Sequence, residues 1–81
     1  MSFFVYILEC KDGSYYTGYA KDVNKRFILH CTGHGASYTK SHPPLKIIHS
    51  QEFPTKSEAM KEEFRIKKLS KHKKVELILD S

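Results

Sequence analysis

Asp12-Gly13 stands between two short runs of strand-forming residues, and that arrangement limits the fold more than any other stretch. Phe3 to Glu9 is apolar and aromatic; Ser14 to Tyr19 carries three of the chain's five tyrosines. Two strands joined this tightly are antiparallel, so the chain cannot be an all-parallel sheet. Two registers are open. A two-residue Asp12-Gly13 loop pairs positions whose numbers sum to 25 and puts Tyr6 and Tyr16 on opposite faces. A three-residue Lys11-Asp12-Gly13 loop, with Gly13 left-handed, gives pairs that sum to 24. Tyr6 then faces Gly18, Leu8 faces Tyr16, and both hydroxyls emerge on one side.

Asp22 is placed to cap a helix from Val23 to about Thr32 that stops at Gly33. A polar connection with a helical turn near Ala36 to Lys40 follows. Pro43-Pro44 leads into a third strand over about Leu45 to Phe53. Thr55-x-x-Glu58 reads as a capping box that starts a helix running to about Leu69. Ser70 starts a last short helix whose apolar positions are Val75, Ile78 and Leu79. The order β-β-α-β-α-α describes an α+β fold, a small and mostly antiparallel sheet with helices packed on it. Eighty-one residues suffice for one domain, taken as 1–81.

The net charge of +5 is local. "RIKKLSKHKK", Arg65 to Lys74, holds six of the fourteen basic residues and no acid. The remaining eight are outnumbered by nine acids. Arg65, Lys67, Lys68, Lys71, Lys73 and Lys74 are therefore either a solvated helix face or the candidate contacts to a phosphate-rich or anionic-membrane partner. Cys10 and Cys31 have no disulfide or zinc-ribbon spacing, and no run is apolar enough for a signal peptide or membrane helix. The expectation is a reduced cytoplasmic protein with no membrane partner, and a monomer.

Polar residues on apolar helix faces need an explanation. Mapped at roughly 100° per residue, Ala59, Met60, Phe64, Ile66 and Leu69 define the inner side of the later helix. Glu63 projects within about 30° of its centre, with Glu62 about 70° away. A carboxylate there needs a cation, a metal, a donor cluster or a water-filled cleft. In the first helix Val23, Phe27 and Cys31 form the apolar stripe. Arg26 and His30, four apart, neighbour one another on its edge, where they suit a phosphate grip and a proton transfer.

Taken in order, these residues resemble a known family. Phe4-Val5-Tyr6, followed about ten residues on by Tyr16-Thr17-Gly18, is similar to the two-part signature of the GIY-YIG nuclease superfamily. Arg26 and His30 on the next helix, and Glu63 within "SEAMKEEFRIKKL", match the rest of its pattern. "GASYT", Gly35 to Thr39, resembles the small single-domain bacterial members. The resemblance implies a central three-stranded antiparallel sheet flanked by helices, and metal-dependent endonuclease cleavage of DNA phosphodiester bonds, in repair or recombination. It gives Tyr6 the place nearest the attacking water, Tyr16 a place at the scissile phosphate, and Gly18 the space beside them. It gives Arg26 the phosphate charge, His30 a proton, and Glu63 a single Mg²⁺ or Mn²⁺ ion. A shared site for the two tyrosines selects the three-residue register.

The departures are specific. Phe4 and Val5 replace the Gly and Ile of the first half-motif, and Thr17 replaces the second Ile. Many members carry an asparagine after the glutamate helix, whereas the single asparagine here is Asn24. Larger members add a domain for target choice, so a separate targeting protein is expected beside DNA as a partner. The alternative is a nucleic-acid binding module of the same fold without turnover.

Overall fold

A computed structural model describes residues 2–79; Met1, Asp80 and Ser81 of the 1–81 span lie outside the described residues. The strands are β1 (Phe3–Cys10), β2 (Tyr15–Ala20) and β3 (Pro44–Phe53). The helices are α1 (Val23–Cys31), α2 (Ser37–Ser41), α3 (Lys56–Lys67) and α4 (Lys71–Leu79). The fold is α+β. Its antiparallel sheet has the order β2-β1-β3, so β1 is central and β2 and β3 are edges. Pro44, which cannot donate to a ladder, opens an edge strand.

The hairpin takes the three-residue register. Tyr6 lies opposite Gly18 and Leu8 opposite Tyr16. Gly13 adopts φ +86°, the conformation that favours glycine. Asp12 Oδ1 accepts from Ser14 N at 3.0 Å and fixes the turn.

Both faces of β1 are covered, so Val5 to Leu8 are almost inaccessible. Val5 and Ile7 pack under α3 against Ala59 and Ile66, with Leu77 and Ile78 of α4 beside them. Tyr6 and Leu8 face the other way, toward Val23 and Phe27 of α1. Asp22 Oδ1 caps α1 by accepting from Lys25 N at 3.0 Å, and Gly33, at φ +80°, ends it. Thr55 Oγ1 caps α3 through Glu58 N at 3.2 Å.

Four expectations about facing are corrected. Cys31 is exposed, and His30 is buried in its stead; the inner stripe of α1 runs Val23, Phe27, His30, in i, i+4, i+7 spacing. Met60 and Phe64 are 45% and 60% exposed, so they do not belong to the inner side of α3. Glu62, expected on the flank, is as sheltered as Glu63. It forms a bidentate pair with Arg65, both contacts at 2.7 Å. Leu79 is exposed, and Leu77 takes its place against the core.

Candidate active site

The hairpin register creates the site. Tyr6 stands on the central strand with its ring 1% exposed, and its hydroxyl lies over Gly18. A Cβ at Gly18 would come within 2.6 Å of that oxygen, so only glycine leaves the hydroxyl its place. Tyr16, two residues before Gly18, presents its ring to Tyr6 at 6.4 Å between centroids. Both tyrosines, Gly18, Arg26 of α1 and Glu63 of α3 line one open cleft of about 830 Å³.

His30 does not line that cleft. It sits behind Tyr6, 2% exposed, with Nε2 2.9 Å from the Tyr6 hydroxyl. Its Nδ1 lies 2.8 Å from Thr39 Oγ1, and the Thr39 hydroxyl donates to the Ala36 carbonyl at 2.9 Å. A side chain at Gly35 would collide with the imidazole. Tyr38 stacks on both Tyr16 and His42. The "GASYT" segment is thus the wall against which His30 and Tyr16 are seated.

Burial governs the titrations. It pushes the Tyr6 phenol far above its ordinary range; the neighbouring Tyr16 adds to this, and Arg26 opposes it. Tyr16 is raised by burial and then by Glu63, again against Arg26. His30 is lowered by burial and by Arg26. At neutral pH the Tyr6–His30 pair is therefore uncharged. Tyr6 can take a proton from a neighbour only as its own proton leaves toward His30.

Two carboxylates line the cleft. Asp22 is committed to the α1 cap. Glu63 is nearer to free: its Oε2 lies 3.7 Å from Lys67 Nζ, beyond hydrogen-bond distance. No group of three or more His, Cys, Asp or Glu side chains is arranged to hold a metal ion among the described residues. One loosely held carboxylate in an open polar cleft suits a hard divalent cation that keeps most of its water.

The basic rim is supplied by Lys21, Lys25, Arg26 and Lys56. The three lysines were not singled out in the sequence because they are scattered along it. None of the 65–74 run lines the cleft. Arg65 is paired with Glu62, Lys68 lies 4.3 Å over the Phe64 ring, and Lys73 is 3.6 Å from Glu76. Lys71 Nζ donates to the Gly13 carbonyl and sits over Tyr15. Lys74 is half-buried, and loss of solvation lowers its pKa. Asn24 is exposed on α1 and does not line the cleft.

The pattern of the GIY-YIG catalytic domain matches residues 2–76. The chain belongs to the GIY-YIG nuclease superfamily. Within it, the chain is similar to small bacterial UPF0213 proteins. One from Staphylococcus saprophyticus is 53% identical over 93% of this chain and 92% of its own. Another, from Halalkalibacterium halodurans, is 49% identical over 96% of this chain and 83% of its own. Two solution NMR structures share the fold at a TM-score of 0.62. The UPF0213 protein of Bacillus halodurans is 49% identical, covering 96% of this chain and 83% of that one. The protein from E. faecalis is 42% identical, covering 95% and 83%. In this GIY-YIG chain the two half-motifs lie on adjacent strands, and the glycine of the second faces the tyrosine of the first.

Proposed function

We propose that this cleft hydrolyses DNA phosphodiester bonds with one Mg²⁺ or Mn²⁺ ion at Glu63. The reading is carried by one observation: Tyr6, Tyr16, Arg26 and Glu63, from four different elements, converge on one cleft rimmed by lysines.

Each residue has a job that its chemistry permits. Arg26 supplies fixed N–H donors to the non-bridging phosphoryl oxygens and stabilises the charge they gain in the transition state. The Tyr16 hydroxyl donates to the same phosphate. Tyr6 receives the proton of the attacking water as its own passes to His30 Nε2. The new P–O bond forms on the water oxygen, the opposite P–O bond breaks, and the departing oxygen takes a proton from solvent. His30 then returns its proton to Tyr6, which releases the proton taken from water to solvent and restores the neutral pair. Glu63 would hold the divalent cation, whose Lewis acidity would polarise the phosphate and stabilise charge at the departing oxygen.

Flanking phosphates lie against Lys21, Lys25 and Lys56. The 65–74 run gives outer, non-specific contacts. Selection of a DNA target in repair or recombination falls to a partner protein. The second reading, binding without turnover, is favoured by the position of Asn24 outside the cleft.

A panel of single-stranded, duplex, nicked and branched DNAs, incubated with Mg²⁺, Mn²⁺ or EDTA, separates the two readings. Hydrolysis expects cut products with metal and none in EDTA. Retained binding with no product under any metal would leave the binding module standing.

A further inference from the structure

Thr39 has one hydroxyl proton, and the Ala36 carbonyl 2.9 Å away can only accept, so a hydrogen bond there takes that proton. Its oxygen also lies 2.8 Å from His30 Nδ1. With its proton spent, Thr39 Oγ1 can only accept there, so Nδ1 must carry the hydrogen. In a neutral imidazole the other nitrogen is then bare. That nitrogen is Nε2, 2.9 Å from the Tyr6 hydroxyl. Tyr6 therefore donates inward and turns its oxygen lone pairs to the cleft, the orientation needed to accept a proton from water. All three side chains are at least 98% buried, so no solvent competes for these bonds.

We infer that Thr39 is a positioning residue that fixes His30 in its Nδ1–H tautomer and so sets Tyr6 as the proton acceptor of the site. Gly35 completes the device, because any side chain there would occupy the space of the imidazole. One contact opposes it. The Ala36 N–H points at His30 Nδ1 across 3.4 Å, a bond that belongs to the opposite tautomer. It is the longer contact, and it loses to Thr39 while the hydroxyl is present. Without that hydroxyl it is the remaining polar neighbour of Nδ1. The tautomer should then invert, with Nε2–H donating to Tyr6 and closing the route for the tyrosine proton.

The consequence for cleavage rests on the nuclease reading above; the consequence for His30 does not. The test is ¹⁵N NMR of the imidazole in the wild type, Thr39→Val and Thr39→Ser, beside cleavage kinetics of the same proteins. Valine keeps the branched shape without the hydroxyl, and serine restores the hydroxyl. The wild type and Thr39→Ser should show a protonated Nδ1 and a bare Nε2, and Thr39→Val the reverse. In Thr39→Val, kcat should fall about 10²-fold, the lower range of general acid–base contributions, with KM unchanged. Thr39→Ser should recover most of it. A protonated Nε2 in the wild type, or an unaltered tautomer in Thr39→Val, overturns the inference whether or not the protein cleaves DNA. The expected tautomers in a protein that cleaves nothing uphold the positioning role and remove the nuclease reading instead. An inverted tautomer with full kcat overturns the catalytic consequence.

Discussion

A Cβ on Gly18 would lie 2.6 Å from the Tyr6 hydroxyl and 2.8 Å from Cζ of the same ring. The glycine across the ladder is therefore what admits Tyr6 to the floor of the cleft. Tyr6 cannot move aside, being 1% exposed and bonded to His30. Gly18→Ala should destabilise the protein by about 1–3 kcal/mol through overpacking. At about 4–8 °C per kcal/mol for a domain of this size, thermal melting reads this directly. A melting temperature equal to the wild type would mean that the ring relaxes freely.

Thr17 and His49 both lie opposite Ile7, on the two neighbouring strands. Both are buried, and neither Thr17 Oγ1 nor the His49 ring nitrogens find a hydrogen-bond partner among the described residues. A buried hydroxyl left unbonded costs about 1–3 kcal/mol. Thr17→Val, which removes it and adds a methyl group under α3, should raise the melting temperature. A lower value would place a bonded water at Thr17.

Stability should fall in mild acid. Burial lowers the pKa of His30 and His49, aided at His30 by Arg26 and opposed at His49 by Glu62. The unfolded chain then binds protons that the folded one refuses once pH drops below the unfolded histidine value of about 6.5. Above that value neither state binds them and the effect is absent. Between the unfolded and folded pKa values each histidine should cost up to about 1.4 kcal/mol per pH unit. Denaturant melts between pH 8 and 5 should show a flat region and then a decline, which His49→Phe makes shallower. A variant with the wild-type slope would remove His49 from the account.

The proposed DNA path gives two lysine sets unequal shares of the phosphate backbone. The slope of log affinity against log salt is about −0.9 per phosphate neutralised on duplex DNA. Replacing Lys21, Lys25 and Lys56 with glutamine should make it shallower by about 2.7. Replacing Lys71, Lys73 and Lys74 should change it less. Lys71 is held by the hairpin turn, Lys73 faces Glu76, and Lys74 is half-buried. The reverse ranking would move the DNA path from the cleft to α4.

The hairpin was legible in the sequence but its register was not: turn chemistry leaves two registers open, and only a shared site for Tyr6 and Tyr16, implied by the GIY-YIG resemblance, selects the three-residue one that the structure shows. The caps at Asp22 and Thr55 were legible because each is a local side-chain-to-backbone bond. His30 was not. A polar residue is expected at the edge of an apolar stripe, and only a hydrogen-bonding wall from a later segment lets it sit inside. Thr39 was visible as part of a motif, but its role depends on α2 folding back onto α1. Met60 and Phe64 misled the facing of α3, since exposed apolar residues carry no local mark. The charge pattern pointed to 65–74 because it is dense there. The cleft instead gathers Lys21, Lys25 and Lys56, which lie up to 35 positions apart and meet only through the fold.

The proposed hydrolysis requires that Glu63 serve a reaction in the cleft and not brace the fold. Its pairing with Lys67, 3.7 Å away and half-exposed, is too loose to hold a helix in place; exposed i,i+4 pairs contribute about 0.3–0.5 kcal/mol. Glu62, one residue away, grips Arg65 bidentately, so the control carboxylate is Glu52, exposed on the β3 edge. The most direct measurement is cleavage of the best DNA substrate by wild type, Glu63→Gln and Glu52→Gln in Mn²⁺, with melting temperatures taken in EDTA. Glu63→Gln should melt within a few degrees of wild type and bind DNA, yet lose cleavage and Mn²⁺ binding together, while Glu52→Gln keeps both. Full cleavage by Glu63→Gln, or a sharply lowered melting temperature with Mn²⁺ binding intact, would contradict the role given to Glu63.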